Sequence, residues 1–166
     1  VTKACACQLL TGPESRATLA KFDDEGRASG RRTRRPAQIA GRYLQLVRVS
    51  FAGELGWELH TKVEDTAAIF DAVWMAGQKH GLRPFGMFAL DSLRLEKGYR
   101  AWKGDLSTDY TVLQGGLDRF IDWTKSDFRG KAALAAQLQT GVAKRFCTLI
   151  VEAGDQDPPY MSSIWH

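Results

Sequence analysis

The chain has 166 residues, 44% of them hydrophobic, with 23 basic and 19 acidic side chains and a formal net charge of +4. That composition supplies a core and excludes wholesale disorder, while the mild basic excess is no nucleic-acid footprint. Three cysteines form no disulfide framework, no apolar run approaches the roughly 20 residues of a membrane span, and no secretory leader opens the sequence, so a cytoplasmic setting without a membrane partner is expected.

In chain order, residues 3–10 predict a strand in which Cys5 and Cys7 are small buried residues. Cys-Ala-Cys lacks the spacing of a zinc site. Pro13 and Glu14 open a short helix that continues through Ala17, Leu19, Ala20 and Phe22. The polar, Gly- and Arg-rich stretch from Asp23 to Gly41 predicts a long loop or a poorly ordered connection. Tyr43 to Phe51 and Trp57 to Thr61 predict two strands, and the short turn between them predicts an antiparallel hairpin. Val63 to His80 predicts a helix with Ala67, Phe70, Val73, Trp74 and Gly77 on one face, ended by Gly81. Met87 to Lys97 predicts another, closed by Gly98, in which Asp91 pairs with Arg94. Residues 128–138 predict a small-residue helix, and Arg145 to Glu152 a strand that residues 155–159 break. Helices laid against one antiparallel sheet make the fold class α+β.

Dinucleotide, P-loop and nucleophile-elbow motifs are absent. His60, His80 and His166 have no mutual spacing that converges on a metal, and surface or strand-end positions are expected for them. The turn Ser-Phe-Ala-Gly-Glu-Leu-Gly-Trp-Glu-Leu carries two carboxylates. Glu54, in the turn, reads as solvated. Glu58 lies inside a strand, where alternation sets it opposite Trp57 and Leu59. If its face is covered, the carboxylate needs donors. A planar amino-and-ring-nitrogen edge such as a pterin's is one source of them, and an ordinary solvent-facing strand glutamate is the other reading.

Taken together, "RVSFAGELGWELH", "RPFGMFALDSLRLEKGYRAWKGDLSTDYTVLQGGL" and "KSDFRGKAAL" resemble the aminomethyltransferase family. This family comprises the glycine-cleavage T-protein and the folate-binding half of sarcosine and dimethylglycine dehydrogenases. "RLEKGYRAWKGDL" is closest to the dehydrogenase branch. The resemblance runs from about Leu10 to the end. It implies tetrahydrofolate as cofactor and acceptor of a one-carbon unit, an N-methyl or aminomethyl compound as donor, and flavin only on a separate domain. It implies Glu58 as the pterin-contacting carboxylate, with Tyr99 and Trp102 as further folate-binding residues. It divides the chain into a folate-binding domain, residues 1–143, and the beginning of a small C-terminal β-barrel, residues 144–166. No catalytic residue is expected: the family's catalytic aspartate belongs to a region upstream, so the chain is expected to be an interior or truncated portion, inactive in aminomethyl transfer by itself.

Two positions depart from the family pattern. Leu90 stands where many T-proteins have a folate-contacting arginine, and Gln114 where glutamate is usual. A second reading is a non-catalytic folate-binding module of the type linked to tRNA modification and iron–sulfur maintenance. That branch carries a cysteine after Lys-Gly, where this chain has Tyr99. Arg27, Arg31, Arg32, Arg34 and Arg35 form a basic run that reads as a solvated loop, an attractor for an acidic folate tail, or an RNA contact. It lacks aromatic residues for stacking bases, which argues against RNA. Oligomeric state is not encoded in any of these patterns.

Overall fold

The computed structural model describes residues 3–22, 30–156, 158–159 and 162–163. They form two compact units divided between Tyr99 and Arg100. The first is built on four antiparallel strands, β1 (Cys5–Thr11), β2 (Arg34–Ile39), β3 (Arg42–Val47) and β4 (Gly56–Lys62), in the spatial order β1-β4-β3-β2. The helices of this unit are α1 (Ser15–Leu19), α2 (Thr66–Gly77) and α3 (Met87–Glu96). The fold class is thus α+β.

The core forms where strand alternation meets helix periodicity. Leu10, Ile39, Leu44, Leu46, Trp57 and Leu59 come from one face of the sheet and meet Leu19 of α1 and Ile69 and Val73 of α2, all buried. The apolar face of α2 keeps Val73 and Gly77 of the sequence expectation but takes Ile69 and Ala76 in place of Ala67 and Phe70. Ile69, Val73 and Ala76 turn inward, while Phe70 and Trp74 stack on each other at its flank, ring centroids 6.0 Å apart. Gly81 ends this helix region in the left-handed conformation at φ +69°, and the Leu82 amide donates back to the Gly77 carbonyl.

The loop expected from Asp23 to Gly41 is corrected in part. Residues 23–29 lie outside the described residues, but Arg34–Ile39 is a strand paired along its length with β3. The connection is a two-residue turn with positive φ at both Ala40 and Gly41, the twist that suits a tight hairpin. Arg35, Ala37 and Ile39 alternate inward, and the strand lies at the sheet edge, the place where arginine and Pro36 are tolerated. Cys5 and Cys7 are also corrected: both are exposed, because their parity on β1 is opposite to that of Leu10.

The second unit holds α4 (Lys131–Thr140) and a short turn of 3-10 helix at Asp118–Phe120. Helix α4 starts three residues later than residues 128–138 predict, because Gly130 at φ +91° ends the preceding loop. The Lys131 ammonium ties that loop down by donating to the carbonyls of Trp123, Lys125 and Ser126. The strand expected at Arg145–Glu152 is absent, and with it any barrel among the described residues. The run finds no strand to pair with; Ile150 is 99% exposed, and the Phe146 amide donates to the Gln114 carbonyl. No helix among the described residues is long and apolar enough to cross a membrane.

Candidate ligand site on the open face of the sheet

The turn between β3 and β4 decides where Glu58 points. Gly53 has φ +79°, and a Cβ there would meet the Lys97 side chain, so only glycine allows both the turn and the overlying stem. Lys97 reaches over it to Glu54, Nζ to Oε1 3.7 Å. The glutamate read as solvated therefore sits in a surface ion pair, with both side chains about half exposed. The Leu55 carbonyl accepts from the Gly12 amide and from the hydroxyls of Thr11 and Ser15. Gly56 is buried, and a Cβ there would lie 3.0 Å from Ser50 Cβ. The start of β4 is thus pinned from three sides.

From that start, alternation does the rest. Trp57, Leu59 and Thr61 are buried on the helix side, while Glu58, His60 and Lys62 emerge on the other face. Guanidiniums of Arg16 and Arg48 approach the Trp57 ring, 5.5 and 5.9 Å from its centroid. The sheet register sets Leu9 and Val47 beside Glu58, and Cys7 and Gln45 beside His60. His60 Nε2 donates to Glu58 Oε2 at 2.8 Å, since a carboxylate only accepts. Oε1 of Glu58 has no hydrogen-bond partner among the described residues. The Cys7 sulfur lies 3.9 Å from the same imidazole nitrogen. Partial desolvation by its neighbours, and secondarily the Glu58 carboxylate, push the exposed Cys7 thiol above its ordinary pKa.

Tyr99 follows α3 and is held through its backbone. Its amide donates to the Arg94 carbonyl at 2.9 Å, and Arg94 Nη1 donates to the Tyr99 carbonyl at 3.0 Å. Arg94 is buried and also bonds Asp91 at 2.6 Å, the pair expected from sequence. The Tyr99 ring stacks on Phe51, in the turn before β4, with centroids 6.3 Å apart and planes 21° from parallel. Trp102 belongs to the second unit, where it is 65% exposed in a tight loop closed by the Ala101 carbonyl and the Asp105 carboxylate. Leu90 is half-buried on α3. Gln114 uses its side-chain oxygen to accept from the Thr111 amide, while the Thr111 hydroxyl accepts from the Gln114 amide. A glutamate would accept the same bond, so the exchange keeps the turn.

Sequence spacing predicted no metal-binding set. The register brings one together: ligating atoms of Cys7, Glu58 and His60 all lie within 4.8 Å of one another. The signal was present as Cys-x-Cys and Glu-x-His at strand parity, but only the pairing of β1 with β4 joins them. A separate cavity of about 690 Å³ lies on the helix side of the first unit, bordered by Leu10, Phe70, Val73, Trp74 and the Glu14–His80 contact. Neither Glu58 nor Tyr99 borders it.

Residues 1–125 match the family model described as the GCVT N-terminal domain. The chain belongs to this family. Among curated members, human mitochondrial dimethylglycine dehydrogenase is 35% identical over 161 residues, 95% of this chain and 19% of that protein. Human mitochondrial sarcosine dehydrogenase is 38% identical over 162 residues, 94% of this chain and 17% of that protein. An aminomethyltransferase of Thermosynechococcus vestitus is 34% identical over 141 residues, 84% of this chain and 37% of that protein. The chain spans well under half the length of each of these relatives.

Proposed function

We propose that this chain is the tetrahydrofolate-binding portion of a one-carbon transferase within a larger protein of sarcosine or dimethylglycine dehydrogenase type, or of aminomethyltransferase type. In this reading residues 1–143 are the folate-binding domain, and an N-methyl or aminomethyl compound is the donor. Tetrahydrofolate supplies the acceptor for the one-carbon unit when bound. The observation that carries the reading is the placement of Glu58: a half-buried strand carboxylate on the face away from the core, with one oxygen unpartnered among the described residues, while Trp57 and Leu59 lock the strand into the core. That placement fits a group that must accept paired N–H bonds from a pterin edge. Tyr99, fixed by Arg94 and stacked on Phe51, offers an aromatic surface in the same unit. The assignment of Trp102 rests on the family resemblance alone.

The test compares two glutamates four residues apart in sequence with different surroundings, one in the turn and one in β4. Charge-assisted hydrogen bonds contribute about 1.5–3 kcal/mol each, so Glu58→Gln should weaken tetrahydrofolate binding roughly tenfold or more. Glu54→Gln, which removes only the surface pair with Lys97, should leave the dissociation constant nearly unchanged. The measurement is isothermal titration of both variants beside the wild type. Equal effects, or no effect of Glu58→Gln, would remove Glu58 from the site.

A further inference from the structure

We propose that Cys7, Glu58 and His60 form a binding site for a borderline-soft divalent metal ion, Zn²⁺ or its spectroscopic stand-in Co²⁺. The three side chains supply three donor types, thiolate, carboxylate and imidazole, the set that such ions take. Their positions follow from the sheet. Glu58 and His60 are two apart on β4 and so share a face, and Cys7 is directly opposite His60 on β1. Neighbouring donors around a tetrahedral zinc stand about 3.3–3.6 Å apart, given its usual bond lengths. The observed separations bracket that range: 2.8 Å from imidazole nitrogen to carboxylate oxygen, and 3.9 Å from sulfur to the same nitrogen. All three ligating atoms lie within 4.8 Å of one another, and the paired strands hold the backbone beneath them.

Cys5 is not a member of the set, because it lies opposite Lys62, whose ammonium repels a cation. Coordination displaces the thiol proton of Cys7, and the His60 ring shifts its proton to Nδ1 so that Nε2 carries a lone pair. Three protein donors leave a fourth position for water or an external ligand, the open form of zinc site. The site goes beyond the folate reading and shares one residue with it, so metal and tetrahydrofolate would compete for Glu58.

The experiment titrates the full 166-residue chain with Co²⁺ in the absence of folate. The expected result is one equivalent bound, with a thiolate-to-cobalt charge-transfer band that Zn²⁺ abolishes. Cys7→Ser should eliminate the band. His60→Ala and Glu58→Gln should each weaken Co²⁺ binding by at least about tenfold, whereas Cys5→Ser and Cys147→Ser should retain it. The cluster side chains are exposed or half-buried, and circular dichroism checks that each variant keeps its sheet. Absence of the band in the wild type, its persistence in Cys7→Ser, or its equal loss in Cys5→Ser would overturn the assignment. Because folate is left out, failure here leaves the Glu58 titration with tetrahydrofolate unaffected, and the converse holds.

Discussion

Gly53→Ala probes the turn that aims β4. At φ +79° a side chain costs about 1–2 kcal/mol. The added Cβ would stand 1.9 Å from Lys97 Cγ and 2.9 Å from Lys97 Cβ, far inside van der Waals contact. The outer lysine stem rotates away, which breaks the pair with Glu54, and the Lys97 Cβ at 2.9 Å is relieved only by a small backbone shift. That pair has its ends 46% and 48% exposed, so it contributes no more than about 1 kcal/mol. The sum is a loss of about 1–3 kcal/mol. Since the chain divides into two units, the informative assay is amide hydrogen exchange of Gly56–Lys62, which reports opening of the first unit by itself. Protection there should fall roughly 5- to 150-fold. In a Lys97→Ala background the closest clash is gone, and the penalty should shrink toward the backbone cost of about 1–2 kcal/mol. A larger penalty in the Lys97→Ala background, or none in either, would refute the account of a turn wedged beneath Lys97.

Leu59→Ala removes a fully buried side chain from the sheet-helix core and should destabilise the first unit by about 2–5 kcal/mol, whereas His60→Ala, next to it on the outer face, should stay within about 0.5 kcal/mol; chemical denaturation of both variants checks this. The Thr124 hydroxyl and amide hold the Asp122 carboxyl below its ordinary pKa. The associated stability is present above the unfolded-state value and is lost as pH falls through the lower folded one. Thr124→Val should therefore raise the Asp122 midpoint in a carboxyl-detected NMR titration and leave the backbone bond in place. Amides of Arg34–Ile39 that pair with β3 should exchange slowly, and uniformly fast exchange across that strand would remove it from the sheet.

Much of the first unit was legible because its signals are local. Gly-Trp-Glu-Leu-His-Thr-Lys alternates strictly, so the parity of Glu58 against Trp57 and Leu59 could be read without coordinates. The Arg94–Asp91 pair likewise follows from helical spacing. Edge strand β2 was hidden because its arginines and proline are loop-like by composition, and only pairing with β3 reveals their alternation. Arg145–Glu152 failed in the opposite sense: its apolar pattern is strand-like, but pattern without a partner makes no ladder. On α2, Ile69 and Phe70 are both apolar, and periodicity alone could not decide which of the two neighbours faces inward. The convergence of Cys7 on His60 and Glu58 depends on the register between strands separated by some fifty residues of chain, which no spacing rule reports. How Arg94 grips the backbone of Tyr99 is also a tertiary fact, although the sequence places the two residues close together.

The order β1-β4-β3-β2 leaves the sheet with two unlike margins. Along β2 the outward row is interrupted by Pro36, which has no amide to donate, and carries the exposed Arg34, whose charge opposes the approach of a second copy. Along β1, Cys5 to Thr11 carries neither proline nor charge. Among the described residues of the first unit, β1 is the edge strand without proline or charge to oppose an added strand. Extension of this sheet, by a neighbouring segment or by unwanted self-association, is therefore directional, and it would proceed from the strand that also carries Cys7.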